Sequence, residues 1–185
     1  MTNIGIDNLW YGTPLAADIT NAAGLISAIN AMTQVANSHE GTFAYEQDDN
    51  NETEYKNELT GETYFVDVTS YGAKRIRFSI GEYDFDTYTA FMGGEKVGTE
   101  GWKTNSNKNV PNKAFIAQTK SGNFIVFSNA KVTAKNDTQD KGIMIGITAR
   151  CMESSESGVA AEYRFLGDKI KIGADGKASA VTGAA

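Results

Sequence analysis

RIRFSIGEYDFDTYTAFMGG, residues Arg75 to Gly94, contains two local patterns from which the fold can be argued. In its first half, apolar and polar residues alternate, which predicts a β-strand with one apolar face. That face carries Ile76, Phe78 and Ile80. In its second half the apolar residues recur at helical spacing and are followed by two glycines. The stretch therefore predicts a strand, a tight turn, a short helix and a glycine stop.

Three carboxylates, on Glu82, Asp84 and Asp86, fall within five positions of this stretch, a density that could bind a metal. Their spacing instead gives each a separate role. Asp84 suits the N-cap, Asp86 lies in the first turn, where the helix dipole favours negative charge, and Glu82 belongs to the preceding turn. Gly93 occupies the usual C-terminal stop. The apolar face of the helix comprises Phe85, Tyr88, Phe91 and Met92. We interpret the stretch as a structural corner.

From Lys113 onward, short alternating segments are separated by turn-forming residues, which predicts antiparallel strands. The chain has 19 glycines and only two prolines, a composition that suits tight turns. We therefore expect a mainly β fold with one flanking helix. The segment 18–37 has weaker helical spacing and predicts a short helix or an irregular connector, with Asp18 or Thr20 as its cap.

The predicted organisation has three parts. Residues 1–14 form an extended arm, residues 15–166 form the β domain, and residues 167–185, rich in Gly, Ala and Ser, form a flexible tail. Aromatic anchors on an arm pack on the parent domain or dock on a neighbouring subunit. The anchors expected to contact a neighbour are Leu9, Trp10 and Tyr11.

The composition limits the classes of function. With 185 residues the chain can form one domain with a substantial core, and its net charge of −6 disfavours wrapping around nucleic acid. The single cysteine, Cys151, excludes an internal disulfide, and the single histidine is His39. The start of the chain lacks the pattern of a signal peptide, and no apolar run is long enough for a membrane helix, so we expect no membrane partner.

Charge is distributed unevenly along the sequence. The segment between positions 46 and 62 contains seven acidic residues and a single basic one, Lys56. The acidic residues are Glu46, Asp48, Asp49, Glu52, Glu54, Glu58 and Glu62. A solvated loop is one interpretation; an EF-hand is excluded because DDNNET lacks the required glycine. The segment 103–141 is basic and includes Lys131, Lys135 and Lys141. We hypothesise that acidic and basic segments meet between subunits, a heterologous contact that produces rings or filaments.

The sequence does not assemble the residues of a recognisable catalytic site. It lacks a G-x-S-x-G motif, Cys/His metal spacing, a P-loop and a dinucleotide fingerprint. We therefore expect no enzymatic activity, no cofactor and no metal.

The order of these patterns resembles the major tail (tail tube) proteins of tailed bacteriophages. The resemblance covers roughly Leu9 to Phe165 and rests on the segments GTFAYEQDD, TEYKNELTGETYF and RIRFSIGEYDFDTYTAFMGG, followed by a hairpin-rich β half. It implies an antiparallel β-sandwich or half-barrel whose copies form rings, typically hexameric, that stack into a tube. In that case the partners are further copies and other tail proteins, DNA passes through an acidic lumen without specific binding, and the protein resides in the virion after assembly in the host cytoplasm.

Two alternatives belong to other classes of function. The chain could form the related tube of a contractile injection system. It could also be a monomeric β-sandwich that binds carbohydrate, in which case Trp10, Trp102 and Tyr71 are candidates for a flat aromatic row.

Overall fold

The computed structural model describes residues 5–105, 110–139 and 142–181 and is mainly β, with 49% strand and 10% helix. The helices are α1 (Ala22–Asn30) and α2 (Phe85–Met92). The strands are β1 (Ile6–Gly12), β2 (Thr33–Gln34), β3 (Ala44–Gln47), β4 (Asn51–Lys56), β5 (Thr63–Ser70), β6 (Lys74–Ile80), β7 (Glu95–Val97), β8 (Gly101–Lys103), β9 (Lys113–Thr119), β10 (Phe124–Gln139), β11 (Gly142–Cys151), β12 (Glu162–Phe165), β13 (Ile170–Ile172) and β14 (Ala178–Ala180).

The main sheet has eight strands in the order β2-β1-β9-β10-β11-β6-β3, with β12 beside the first part of β10. Every pairing in it is antiparallel. The predicted mainly β, antiparallel fold is therefore confirmed. Three small two-stranded sheets, β4–β5, β7–β8 and β13–β14, complete the structure of the described residues.

One segment, residues 33–47, bonds to both sides of the sheet and curls it. The Val35 N–H donates to the Leu9 carbonyl at 2.8 Å, beside the β1–β2 pair. Farther along, Ser38 bridges Ile80, and β3 then pairs with β6. Because the same segment reaches strands near both edges, the sheet forms a half-barrel with an enclosed side.

An aromatic cluster fills the inside of this curl. The rings of Phe78 and Phe115 come from strands separated by two others, yet their centroids are 6.0 Å apart. Phe91 from α2 stacks near Phe115 and lies 4.7 Å from the ring of Tyr11. Helix α2 therefore packs against the inner face of the half-barrel through Phe91.

A second core lies on the opposite face of β1, β9 and the first part of β10. Trp10 is fully buried there with Ile116 and Phe124, beneath α1 and the β13–β14 hairpin. These strands are thus buried on both faces, as in strands between two layers.

The predicted arm over residues 1–14 is wrong for residues 6–12. They form β1, inside the main sheet, and the exposed fractions of Leu9, Trp10 and Tyr11 are only 2%, 0% and 8%. Side chains enclosed in their own protomer cannot serve as contacts with a neighbouring subunit, so this part of the interface prediction is also wrong.

The predicted flexible tail is wrong for residues 170–180. The side chain of Asn30 receives the Ala178 N–H at 2.8 Å and donates to the Ala178 carbonyl at 2.9 Å, as a neighbouring strand would. The Trp10 indole donates to the Gly176 carbonyl at 3.0 Å. These bonds, with the burial of Ile170, fasten the C-terminal hairpin to α1 and β1.

The predicted corner is confirmed in its details. The Asp84 carboxylate caps α2 by accepting the Thr87 N–H at 2.7 Å, and that hydrogen bond lowers the pKa of Asp84. Gly93 ends the helix at a φ of 71°, and Trp102 donates to its carbonyl. At Gly94, a Cβ atom would lie 2.6 Å from both the Trp102 ring and the Lys103 carbonyl oxygen.

The apolar face of α2 is confirmed for three of its four predicted residues. Phe91 is buried and Tyr88 and Met92 are half-buried. The prediction is wrong for Phe85, which is 38% exposed in the first turn, before α2 reaches the core. Asp86 lies in the first turn and accepts from Lys96 at 2.7 Å. The segment 18–37, predicted as a short helix or an irregular connector, contains a helix, α1, capped by Asn21 rather than by Asp18 or Thr20. The described residues therefore include two helices, where one flanking helix was expected.

Candidate interaction surface

The most conspicuous feature outside the core is the β4–β5 hairpin. Every residue in both strands is exposed, and the strands pair with each other and not with the main sheet. The hairpin leaves the sheet between Asp48, whose N–H donates to the Ala73 carbonyl at 3.0 Å, and the start of β6. An isolated two-stranded hairpin is at best marginally stable in water.

Both faces of this hairpin carry large apolar side chains. Tyr55 and Phe65 are opposite each other on one face, with ring centroids 5.7 Å apart. Val66 and Val68 lie on the other face, opposite Glu54 and Glu52. Tyr64, Leu59 and Tyr71 are 71%, 95% and 83% exposed. A cluster of this kind on a projecting element is typical of a surface that another molecule covers.

The hairpin is also strongly acidic. Between positions 51 and 70 the chain has five carboxylates and one lysine. Lys56 lies 3.7 Å from Glu54, which also accepts from the Thr63 hydroxyl. Among the described residues, Glu52 has no cation within salt-bridge distance. The hairpin thus presents apolar side chains framed by negative charge.

Two of the acidic residues expected at a subunit contact are instead paired inside the protomer. Glu46 lies 3.4 Å from Arg77, and Asp48 accepts from Arg75. These pairs join β3 to β6 on the outer face of the half-barrel, so neither carboxylate is left free for a neighbouring subunit. Asp49, just before the hairpin, is exposed.

The basic residues expected at the contact lie on the same outer face. Lys131 is exposed and donates to the Val110 carbonyl at 3.2 Å. Lys135 lies 3.7 Å from Asp137, beside a groove of about 680 Å³ lined by β3, β6, β10 and β11. Lys141 lies outside the described residues. The structure therefore places the acidic candidates Glu46 and Asp48 near the same face of the sheet as the basic candidates Lys131 and Lys135, whereas Glu52 and Glu54 lie on the projecting hairpin.

A separate polar cluster surrounds the Glu162 carboxylate where β12 approaches β6. Glu162 is 10% exposed and accepts from Lys74 at 2.5 Å, from Arg164 at 2.9 Å and from the Tyr45 hydroxyl at 3.2 Å. Burial alone raises the pKa of Glu162, but the hydrogen bonds from Lys74 and Arg164 outweigh it, so the pKa lies below its ordinary value. The Arg164 guanidinium also lies over the Tyr45 ring. Since all these groups satisfy one another, the cluster fastens β12 to the sheet.

We expect Glu162→Gln to lower the free energy of unfolding by about 1–3 kcal/mol, because it leaves two cations without their carboxylate. A lowered folded-state pKa contributes stability above the unfolded pKa, and that stability is lost as the pH falls through the folded value. Urea unfolding at pH 7 and at successively lower pH should show the two proteins converging below about pH 4.3, the ordinary pKa of Glu. A gap of constant size down to pH 2.5 would contradict this role.

The features that could support chemistry or sugar binding do not come together. Burial raises the pKa of Cys151 to about 11, and its thiol donates to the Ala161 carbonyl. Among residues 5–105, 110–139 and 142–181, no group of three or more His, Cys, Asp or Glu is placed to bind a metal.

The aromatic row expected for sugar binding is not formed by the three candidate residues. Trp10 is fully buried, and Trp102 packs edge-on against Tyr88. In the described part of the chain no helix has the length and apolarity to cross a membrane.

Comparison of the sequence with protein-family models gives no match, and comparison with curated proteins gives none.

The sequence predicted a solvated loop where the β4–β5 hairpin lies, although it also contains a signal for the hairpin. Large apolar residues occur at both odd and even positions of TYFVDVTS, residues 63–70, as in a strand that is apolar on both faces. The stretch NELTG, residues 57–61, supplies the turn, with Gly61 at a φ of 72°. The acidic residues between positions 46 and 62 and the absence of apolar residues over 47–51 favoured the interpretation of a loop.

Proposed function

We propose that the protein is a structural subunit of a bacteriophage tail tube that assembles from many copies of this chain. The observation that carries the proposal is the β4–β5 hairpin, whose exposed apolar side chains require a partner surface. Burying one Val or Phe side chain contributes about 1.5–3 kcal/mol, so a few such contacts stabilise an assembly.

Two open sheet edges add support for repeated assembly. The last residue of β10 that pairs with β9 is Ala130, opposite Lys113, yet β10 continues to Gln139. Among the described residues, 131–139 therefore have a strand on one side only, β11. At one end of the sheet, β3 has β6 as its only neighbouring strand within the described part of the chain. Unpaired edges invite pairing with another chain, and two different edges on one subunit give a heterologous contact.

A heterologous contact that closes makes a ring, and stacked rings make a tube. Within such a tube each copy extends the sheet of its neighbour, and the hairpin, projecting from the sheet, reaches a further copy. The tube of a contractile injection system requires the same ring and stacking contacts. The location of the protein, in the tails of virions or in the injection system of a cell, distinguishes these two functions.

The test combines sedimentation velocity over a wide range of protein concentration with negative-stain micrographs of the purified chain. We expect rings or tubes to form as the concentration rises, and antibodies against the chain to label the tails of virions. A monomer at every concentration, together with unlabelled tails, would contradict the proposal.

A further inference from the structure

A row of three cations crosses the outer face of the main sheet. Lys131 on β10 is directly opposite Arg150 on β11, and Arg150 is directly opposite Arg75 on β6. Their inward-pointing sequence neighbours Val132, Ala149 and Ile76 are buried, so the three cationic side chains share the outer face. We call these three residues the cationic row.

Electrostatic repulsion within the cationic row is unfavourable in an isolated subunit. Directly opposite residues in an antiparallel pair have Cβ atoms about 4.5–5.5 Å apart, and like charges there repel. Only one end is neutralised: Arg75 binds Asp48. Among the described residues, no carboxylate lies within 4.0 Å of Lys131 or Arg150. Lys131 donates to the Val110 carbonyl, but neither it nor Arg150 has an ionic partner in the described structure, and both are exposed and accessible to an anion from another molecule.

Within the protomer, one cation of the row already pairs with a carboxylate beside the hairpin. Arg75 donates to Asp48, which lies just before the β4–β5 hairpin in the chain. The remaining hairpin carboxylates continue away from the sheet on fully exposed strands, so this protomer's own hairpin does not place them on the row. Lys131 lies where β10 has extended past β9, which leaves it open to a neighbour.

We propose that the cationic row receives the acidic β4–β5 hairpin of a second copy of this chain. Lys131 and Arg150 pair with carboxylates on β4, such as Glu52 and Glu54, while the apolar side chains of the hairpin are covered by the same contact. This inference rests on the proposed function, since it names the two surfaces through which the copies meet. Because the donor and acceptor surfaces differ, the contact is heterologous and repeats from one copy to the next.

The first test is cross-linking in full-length protein made by mixing 15N-labelled and unlabelled chains. A carbodiimide joins amines to carboxylates in direct contact. We expect isotope-mixed peptides that link Lys131 to Glu52, Glu54 or Glu58, because these arise only between copies. Links from Lys131 solely within one copy would overturn the inference.

The second test is charge reversal. Lys131→Glu with Arg150→Glu should raise the concentration needed for assembly by about tenfold or more, and adding Glu52→Lys with Glu54→Lys should restore it to within about threefold. The matched control is Lys169→Glu with Lys171→Glu, two exposed lysines beside the C-terminal hairpin, which should leave assembly unchanged.

The outcomes separate the two proposals. Normal assembly of the row variant, or failure of the hairpin reversal to rescue it, overturns this inference and leaves the tube function standing. A wild-type chain that never assembles overturns both. If the row instead binds a 20-base-pair DNA duplex, with binding lost in the row variant and no isotope-mixed links, its partner is a nucleic acid and the inference is wrong.

Discussion

Deleting residues 50–71 should prevent assembly at the concentrations where the wild-type protein assembles, and should leave the protomer folded. The deletion places Asp49 beside Gly72 between Asp48 and Ala73, which are already hydrogen-bonded. An Asp-Gly pair in a two-residue loop is a favoured hairpin turn, so β3 and β6 stay connected. Because the exposed apolar side chains of the hairpin would be lost, we expect the critical concentration to rise on the order of 100-fold.

The stability of the protomer is the internal check on this deletion. The hairpin strands pair only with each other in the described structure, so the free energy of unfolding should change by less than about 1 kcal/mol. A second variant keeps the hairpin and changes Tyr55, Phe65, Val66 and Val68 to Thr, which retains strand propensity. It should assemble as poorly as the deletion. Tubes from either variant at wild-type concentration would contradict the role of the hairpin.

Trp10→Ala should lower the free energy of unfolding by about 3–5 kcal/mol. The indole is fully buried between β1, α1 and the C-terminal hairpin, and it donates to the Gly176 carbonyl. Its removal leaves a cavity and an unpaired carbonyl, so the C-terminal hairpin should also become accessible to protease. Urea unfolding and limited proteolysis measure the two effects.

Tyr71→Ala is the control for that substitution. It also removes a large aromatic side chain, but from a position that is 83% exposed, and should cost at most about 0.5 kcal/mol. If Trp10→Ala costs no more than Tyr71→Ala, then β1 is a detachable arm, as the sequence alone had indicated, and the layered core described above is wrong.

The corner between β6 and α2 was predictable because all its determinants are local. The alternation of Ile76, Phe78 and Ile80, the cap at Asp84 and the stop at Gly93 each act within a few residues. Local patterns of this kind specify an element wherever the rest of the chain lies.

The two ends of the chain were not predictable in the same way. Leu9, Trp10 and Tyr11 are consecutive apolar residues, and such a run fits an anchoring arm as well as a strand buried on both faces. The C-terminal hairpin owes its position to Asn30, which is 148 residues from Ala178 in sequence. Only the folded structure brings these groups together.

The charges of the candidate interaction surface were predictable from the sequence only in part. Sequence indicated an acidic segment and a basic one, but it could not show that Glu46 and Asp48 are neutralised by Arg77 and Arg75 within the protomer. Nor could it show that Lys131 and Arg150 are directly opposite each other. Strand register decides which charges face each other, and it depends on pairings between distant segments.

The most direct measurement is amide hydrogen exchange of residues 51–70, in dilute protein and in assembled protein. In the dilute protomer the β4–β5 hairpin has no packing partner and should exchange rapidly. In the assembled protein, where another copy covers the hairpin, the same amides should exchange on the order of 100-fold more slowly, equivalent to about 2.7 kcal/mol of added local stability. Equally rapid exchange in both states would contradict the claim that this hairpin joins the copies.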